Sequence, residues 1–178
     1  MQYGGFWRRF GAYWLDFIVL LPLVLLTLWL SPRSKYFYAW YFLPGLLIGL
    51  WYNVYLVRRF GGTPGKLVMK LRICKIDGES VGYREAALRY SVLMALTSLQ
   101  SIAITISALH MSDTEYLSLG FMARSQRIVA EAPGWYRPVD VLAQVWIWSE
   151  FLVLLTNRKR RALHDFMAGT VVIRQQTA

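Results

Sequence analysis

Two carboxylates stand inside apolar sequence. Asp16 is the only ionisable side chain between Trp14 and Leu30, and Glu150 lies within the run from Val139 to Thr156. A carboxyl in such surroundings must pair, face a water-filled cavity or stay protonated, because desolvation disfavours its charged form. Groups of that kind can take up and release a proton or a small cation. Glu150 sits about two turns from the end of its run, which places it roughly 10 Å below a membrane surface at 1.5 Å per residue. A protonated glutamic acid hydrogen-bonded among helices, without turnover, is the plainer reading of it. Asp16 has two readings as well: it flanks its span and reaches back to water, or it faces neighbouring helices. Arg9 precedes Asp16 by seven residues and returns to nearly the same helical face, so an Arg9–Asp16 attraction is expected to lower the cost of sinking the carboxylate.

The elements that must position these groups follow from composition. The 178-residue chain is 56% hydrophobic and carries a formal charge of +10. It reads as one all-α polytopic membrane domain with four spans near 11–31, 37–57, 90–110 and 139–156, each close to the roughly 20 apolar residues a bilayer crossing needs. The first run is longer than the apolar core of a secretory signal and ends in no small-residue cleavage pattern, so it reads as a mature helix. Pro44, Gly45 and Gly49 interrupt the second span, where a kink and a close helix contact are expected. Tyr36, Tyr38, Trp40 and Tyr41 at its start and Trp51, Tyr52 and Tyr55 near its end match interfacial aromatic belts. In the third span Thr97, Ser98, Gln100, Ser101, Thr105 and Ser107 share about half the helix circumference. They serve either helix packing or a hydrated path.

The N-terminal arm, the 58–89 loop and the 157–178 tail hold 15 of the 20 lysines and arginines. That asymmetry places both termini in the cytoplasm and turns the basic faces toward anionic lipid headgroups. The basic residues fall between apolar spans and form no stripe on a soluble domain, which argues against nucleic acid. The outer segment 111–137 reads as an amphipathic surface helix followed by a turn at Pro133-Gly134. In the cytoplasmic loop, Gly61-Gly62-Thr63-Pro64-Gly65 is a tight turn leaving the membrane. A phosphate loop is excluded there, since only three residues separate Gly61 from Gly65 and Leu67, not Ser or Thr, follows Lys66. Residues 71–76 alternate as a short strand entering a turn at Asp77-Gly78, and Val171–Arg174 is a second β-branched run able to pair with it. Cys74 is the only cysteine, so it is a free thiol. His164 reads as a local hydrogen-bond partner and not a metal ligand. No nucleophile stands with a base or a metal set, and neither enzymatic activity nor a cofactor is expected.

These residues resemble the RDD family of small bacterial membrane proteins, named for an arginine and two aspartates. The resemblance rests on Arg9 and Asp16 in the stretch Phe6–Asp16, on Asp165 in Leu163–Val172, and on the loop through Gly62, Pro64, Gly65 and Lys66. Asp77-Gly78 and Leu88-Arg89-Tyr90 also fit; the segment 100–150 fits least. The resemblance implies a multi-pass protein of the bacterial inner membrane. It also implies, for some members, export of sodium or potassium in exchange for protons. Carried over, Asp16 would take up the proton or cation, Arg9 would hold its charge state, and Asp165 would orient the arginine. Glu150 is added from its burial alone. The other reading is an accessory or scaffold subunit in which Arg9, Asp16 and Asp165 lock the first helix to the tail. The partners expected are the lipid bilayer and a homo-oligomer or a larger membrane complex, because four helices without an internal repeat enclose little volume for alternating access.

Overall fold

The apolar runs fold as four long helices whose side chains point outward more than inward. The computed structural model describes residues 2–175. Helix α1 (Phe6–Leu30) ends in a 3-10 turn at Ser31–Arg33. Helix α2 (Phe37–Leu50) runs through a π turn at Trp51–Tyr55 into α3 (Leu56–Phe60). Helix α4 (Pro64–Val68), strand β1 (Leu71–Lys75) and the long α5 (Tyr83–His110) follow. The chain closes with α6 (Asp113–Ser118), α7 (Phe121–Ala130), α8 (Tyr136–Thr156), α9 (Leu163–Met167) and β2 (Thr170–Arg174). Four stretches, Phe6–Arg33, Phe37–Val68, Tyr83–His110 and Tyr136–Thr156, are long and apolar enough to cross a membrane. In α1 only Arg9 and Ala12 are buried, while Trp14, Phe17, Ile18, Leu25 and Leu26 are exposed. Such a surface suits lipid and not water.

Two small cores tie the bundle at its ends. At one end, Ala12, Val57, Leu71, Ile73, Val81, Ala86 and Val172 pack around the sheet. There β1 and β2 pair antiparallel, with Ile73 opposite Val172. The N-terminal arm joins them, since the Gly4 N–H donates to the Val172 carbonyl at 2.9 Å. A turn with Gly78 at φ 93° follows β1, so the paired strands and the Asp77-Gly78 turn stand where the alternation puts them.

At the other end, Ala108, Met111, Tyr116 and Ile128 form the second core. The Tyr116 hydroxyl donates to the Ser31 carbonyl at 2.7 Å. The 111–137 segment is thus two short helices and not one. Ser112 caps α6 by accepting the Glu115 N–H at 3.2 Å, and Tyr116 and Ile128 turn into the bundle end.

The irregularity expected near Pro44 falls about two turns later. Helix α2 continues through Pro44, and the ladder changes only at the π turn. The close contact is at Gly49, where a Cβ would collide with the Tyr90 hydroxyl of α5. After α3 the chain does not leave the bundle. Gly61, at φ 81°, reverses it and α4 folds back against α1.

Candidate functional site

Asp165 stands in the first turn of α9 and is fully buried. Its Oδ2 accepts Arg9 Nη1 and the Ala162 N–H, each at 2.9 Å. Its Oδ1 is in direct contact with Arg89 Nη1 and accepts the Thr170 hydroxyl at 3.3 Å. Burial alone would raise this carboxyl's pKa. Arg89, His164 and Arg9, with the Ala162 N–H, outweigh it and hold the group well below the usual carboxylate range. Arg9 uses its remaining donors on backbone, giving Nη2 to the Arg160 carbonyl at 2.6 Å and Nε to Gly4 at 3.3 Å. One carboxylate therefore gathers α1, α5, α9 and β2.

Asp16 has a different environment. Its Oδ1 accepts the Tyr52 hydroxyl at 2.6 Å and the Gly65 N–H at 2.7 Å, and its Oδ2 accepts the Thr63 hydroxyl at 2.6 Å. The π turn carries Tyr52, and the fold-back of α4 carries Thr63 and Gly65. Gly65 has to be glycine for this, because a Cβ there would overlap the Ala12 carbonyl and lie 2.9 Å from the Asp16 carboxyl carbon.

The third carboxylate, Glu150 of α8, meets His164 Nδ1 at 2.6 Å. His164 Nε2 lies 3.6 Å from Asp165 Oδ1, so the imidazole stands between the two acids. A cavity of about 350 Å³ connects these groups, lined by Asp16, Tyr52, Thr63, Lys66, Glu150 and His164, with Arg89 and Tyr90 at its wall and Phe17, Leu20 and Leu93 as its apolar side. Carboxylate and hydroxyl oxygens here offer hard ligands to a monovalent cation. The same carboxyls and the imidazole can carry a proton. Lys66, whose Nζ reaches the Thr63 hydroxyl at 3.5 Å, places an amine beside them.

A family model for the RDD family matches residues 3–169. The chain belongs to the RDD family. No curated protein and no solved structure matches it. In this RDD chain the arginine and the two aspartates do not meet as one triad. The pairing expected between Arg9 and Asp16 is replaced by Arg9–Asp165, and Asp16 is held by hydroxyl and amide donors. Seven residues on one face still leave about 10.5 Å along the axis, whereas the tail brings Asp165 directly onto the guanidinium.

The Gly62, Pro64, Gly65 and Lys66 loop, expected as a turn leaving the membrane, instead supplies a hydrogen bond and a cavity wall. Tyr52, expected in an interfacial belt, is buried against Asp16. His164, read from the sequence as a local hydrogen-bond partner, meets Glu150, and Arg89 is the site residue that sequence reasoning passed over. Arg89 appeared only within the Leu88-Arg89-Tyr90 resemblance, and its signal was a charge placed just before a long apolar helix. In the polar half of α5, Gln100 donates to Asp140 at 2.8 Å, and Thr97, Ser98 and Ser101 line a second cavity of about 520 Å³ between α2 and α5.

Proposed function

We propose that this RDD protein exchanges a monovalent cation for protons. The observation that carries the reading is the single cavity shared by Asp16 and Glu150, carboxylates from two different candidate spans. Such groups within a membrane mark ion and proton pathways. Asp16 is the alternately protonated or cation-holding group, with Tyr52 and Thr63 adding oxygens. Glu150 and His164 pass the proton between the cavity and the sheet end. Arg9, Asp165 and Arg89 brace the frame. The basic excess at the sheet end supports a cytoplasmic position for that end and both termini in a bacterial inner membrane. The 111–137 helices then lie at the outer face, and a homo-oligomer supplies the enclosed volume that four helices lack.

A second reading, a non-catalytic accessory or scaffold subunit, is favoured by the fully partnered Arg9–Asp165–Arg89 cluster, which resembles a lock more than a relay. Proton movement driven by sodium or potassium gradients in proteoliposomes separates the two. Exchange lost in Asp16→Asn with the fold retained supports transport, and no exchange by the unsubstituted chain supports the scaffold.

A further inference from the structure

A further polar concavity lies away from the carboxylate cavity. It is a groove of about 700 Å³ at the sheet end, between the start of α1 and the turn that follows α8. Arg8, Arg158, Arg160 and Arg174 line it, and no carboxylate stands among its described lining residues. Four like charges around one concavity repel each other unless an anion sits among them. Its other wall is apolar. Trp7 is 78% exposed and Leu155 65% exposed, and both lie on helices long and apolar enough to span.

The groove is held in shape. Arg160 adopts the left-handed region at φ 47°, where a non-glycine residue persists only when its surroundings fix it. Its N–H donates to the Asn157 carbonyl at 3.0 Å, and its own carbonyl accepts Arg9 Nη2 at 2.6 Å. The Asn157 side chain clamps the same turn, donating to Val153 and Arg161 carbonyls at 2.7 and 2.8 Å and accepting the Arg161 N–H at 2.8 Å. Glycine at position 5 makes room for the charge, since a Cβ there would come within 2.6 Å of Arg160 Nη1.

We infer that this groove seats one anionic phospholipid. The phosphate rests among the arginines, and an acyl chain runs down the Trp7–Leu155 wall toward the bilayer. A soluble phosphate would use the arginines but has no use for the apolar wall at the end of two spans. Because Arg160 is fastened to Arg9, the bound headgroup bears on the same arginine that holds Asp165. The assignment does not depend on cation exchange.

The test is native mass spectrometry of the purified full chain from mixed micelles holding equal phosphatidylglycerol and phosphatidylcholine. One phosphatidylglycerol should be retained with roughly tenfold preference, and Arg158→Gln/Arg174→Gln, at two exposed positions, should bring that preference close to one. Arg58→Gln/Arg59→Gln, an exposed basic pair on α3 outside the groove, should leave it unchanged, and circular dichroism confirms that both variants fold. Equal loss in both pairs, or no preference in the unsubstituted chain, overturns the site. Displacement of the lipid by millimolar glycerol 1-phosphate would make it a free-phosphate site and overturn the lipid assignment.

Discussion

Arg89 and Asp165, 76 residues apart in the chain, are in direct ion contact at the centre of the sheet end. Arg9 reaches the other oxygen of the same carboxylate from a sequence distance of 156 residues. A buried acid shared by two guanidiniums is a poor proton relay and a strong fastening. Removing it leaves two buried cations facing each other.

Asp165→Asn should therefore lower stability by about 3–5 kcal/mol, the usual cost of breaking one side of a buried ion pair. The melting temperature of the detergent-purified chain reads this directly. A change near zero would show that the cluster is dispensable.

The same carboxylate predicts a pH window. Its folded pKa lies below the ordinary 3.8, so the stability it contributes is fully present above that value and is lost only as pH falls toward the lower folded pKa. The difference in melting temperature between the unsubstituted chain and Asp165→Asn should stay constant from about pH 8 to pH 5 and narrow below about pH 4. A difference that already shrinks near neutrality would contradict the assigned charge state.

Gly65→Ala should cost about 1–3 kcal/mol, because the new methyl meets the Ala12 carbonyl and the Asp16 backbone, neither of which can rotate away. Loss of α4 from α1 would expose Asp16 at the same time. Thermal unfolding measures the first effect, and altered cation-dependent protection of α4 in hydrogen exchange measures the second.

Tyr52→Phe removes one donor from Asp16 and should cost about 1–2 kcal/mol at this buried site. In an Asp16→Asn background the same substitution should cost clearly less, so a double-mutant cycle isolates the pair. Equal costs in both backgrounds would mean that Tyr52 acts through packing alone.

Much of the fold was written in local composition. Uncharged, largely apolar runs such as Leu20–Leu30 demand a membrane helix, and the β-branched Val171–Ile173 run and Asp77-Gly78 demand a strand and a turn. The π turn at Trp51–Tyr55 left no trace, since a shift from i−4 to i−5 bonding alters no residue type. For the same reason Tyr52 looked like any interfacial tyrosine. The site was half visible. Asp16 and Glu150 announce themselves by charge within apolar sequence, while their partners come from remote parts of the chain. Periodicity on α1 pointed Arg9 toward Asp16, but it reports faces and not distances, and the tail supplied a nearer acid. The fold-back of α4 was hidden because Gly61-Gly62-Thr63-Pro64-Gly65 is equally good chemistry for a turn that leaves the bundle.

The central claim is that the Asp16–Glu150 cavity couples cation and proton movement. Its most direct test is internal pH in proteoliposomes after an imposed sodium or potassium gradient, comparing the unsubstituted chain with Asp16→Asn and Glu150→Gln. The account predicts cation-dependent alkalinisation or acidification with the unsubstituted chain, abolished by Asp16→Asn and shifted in pH dependence by Glu150→Gln, with all three chains equally folded. Flux that persists in folded Asp16→Asn, or none with the unsubstituted chain, would contradict it.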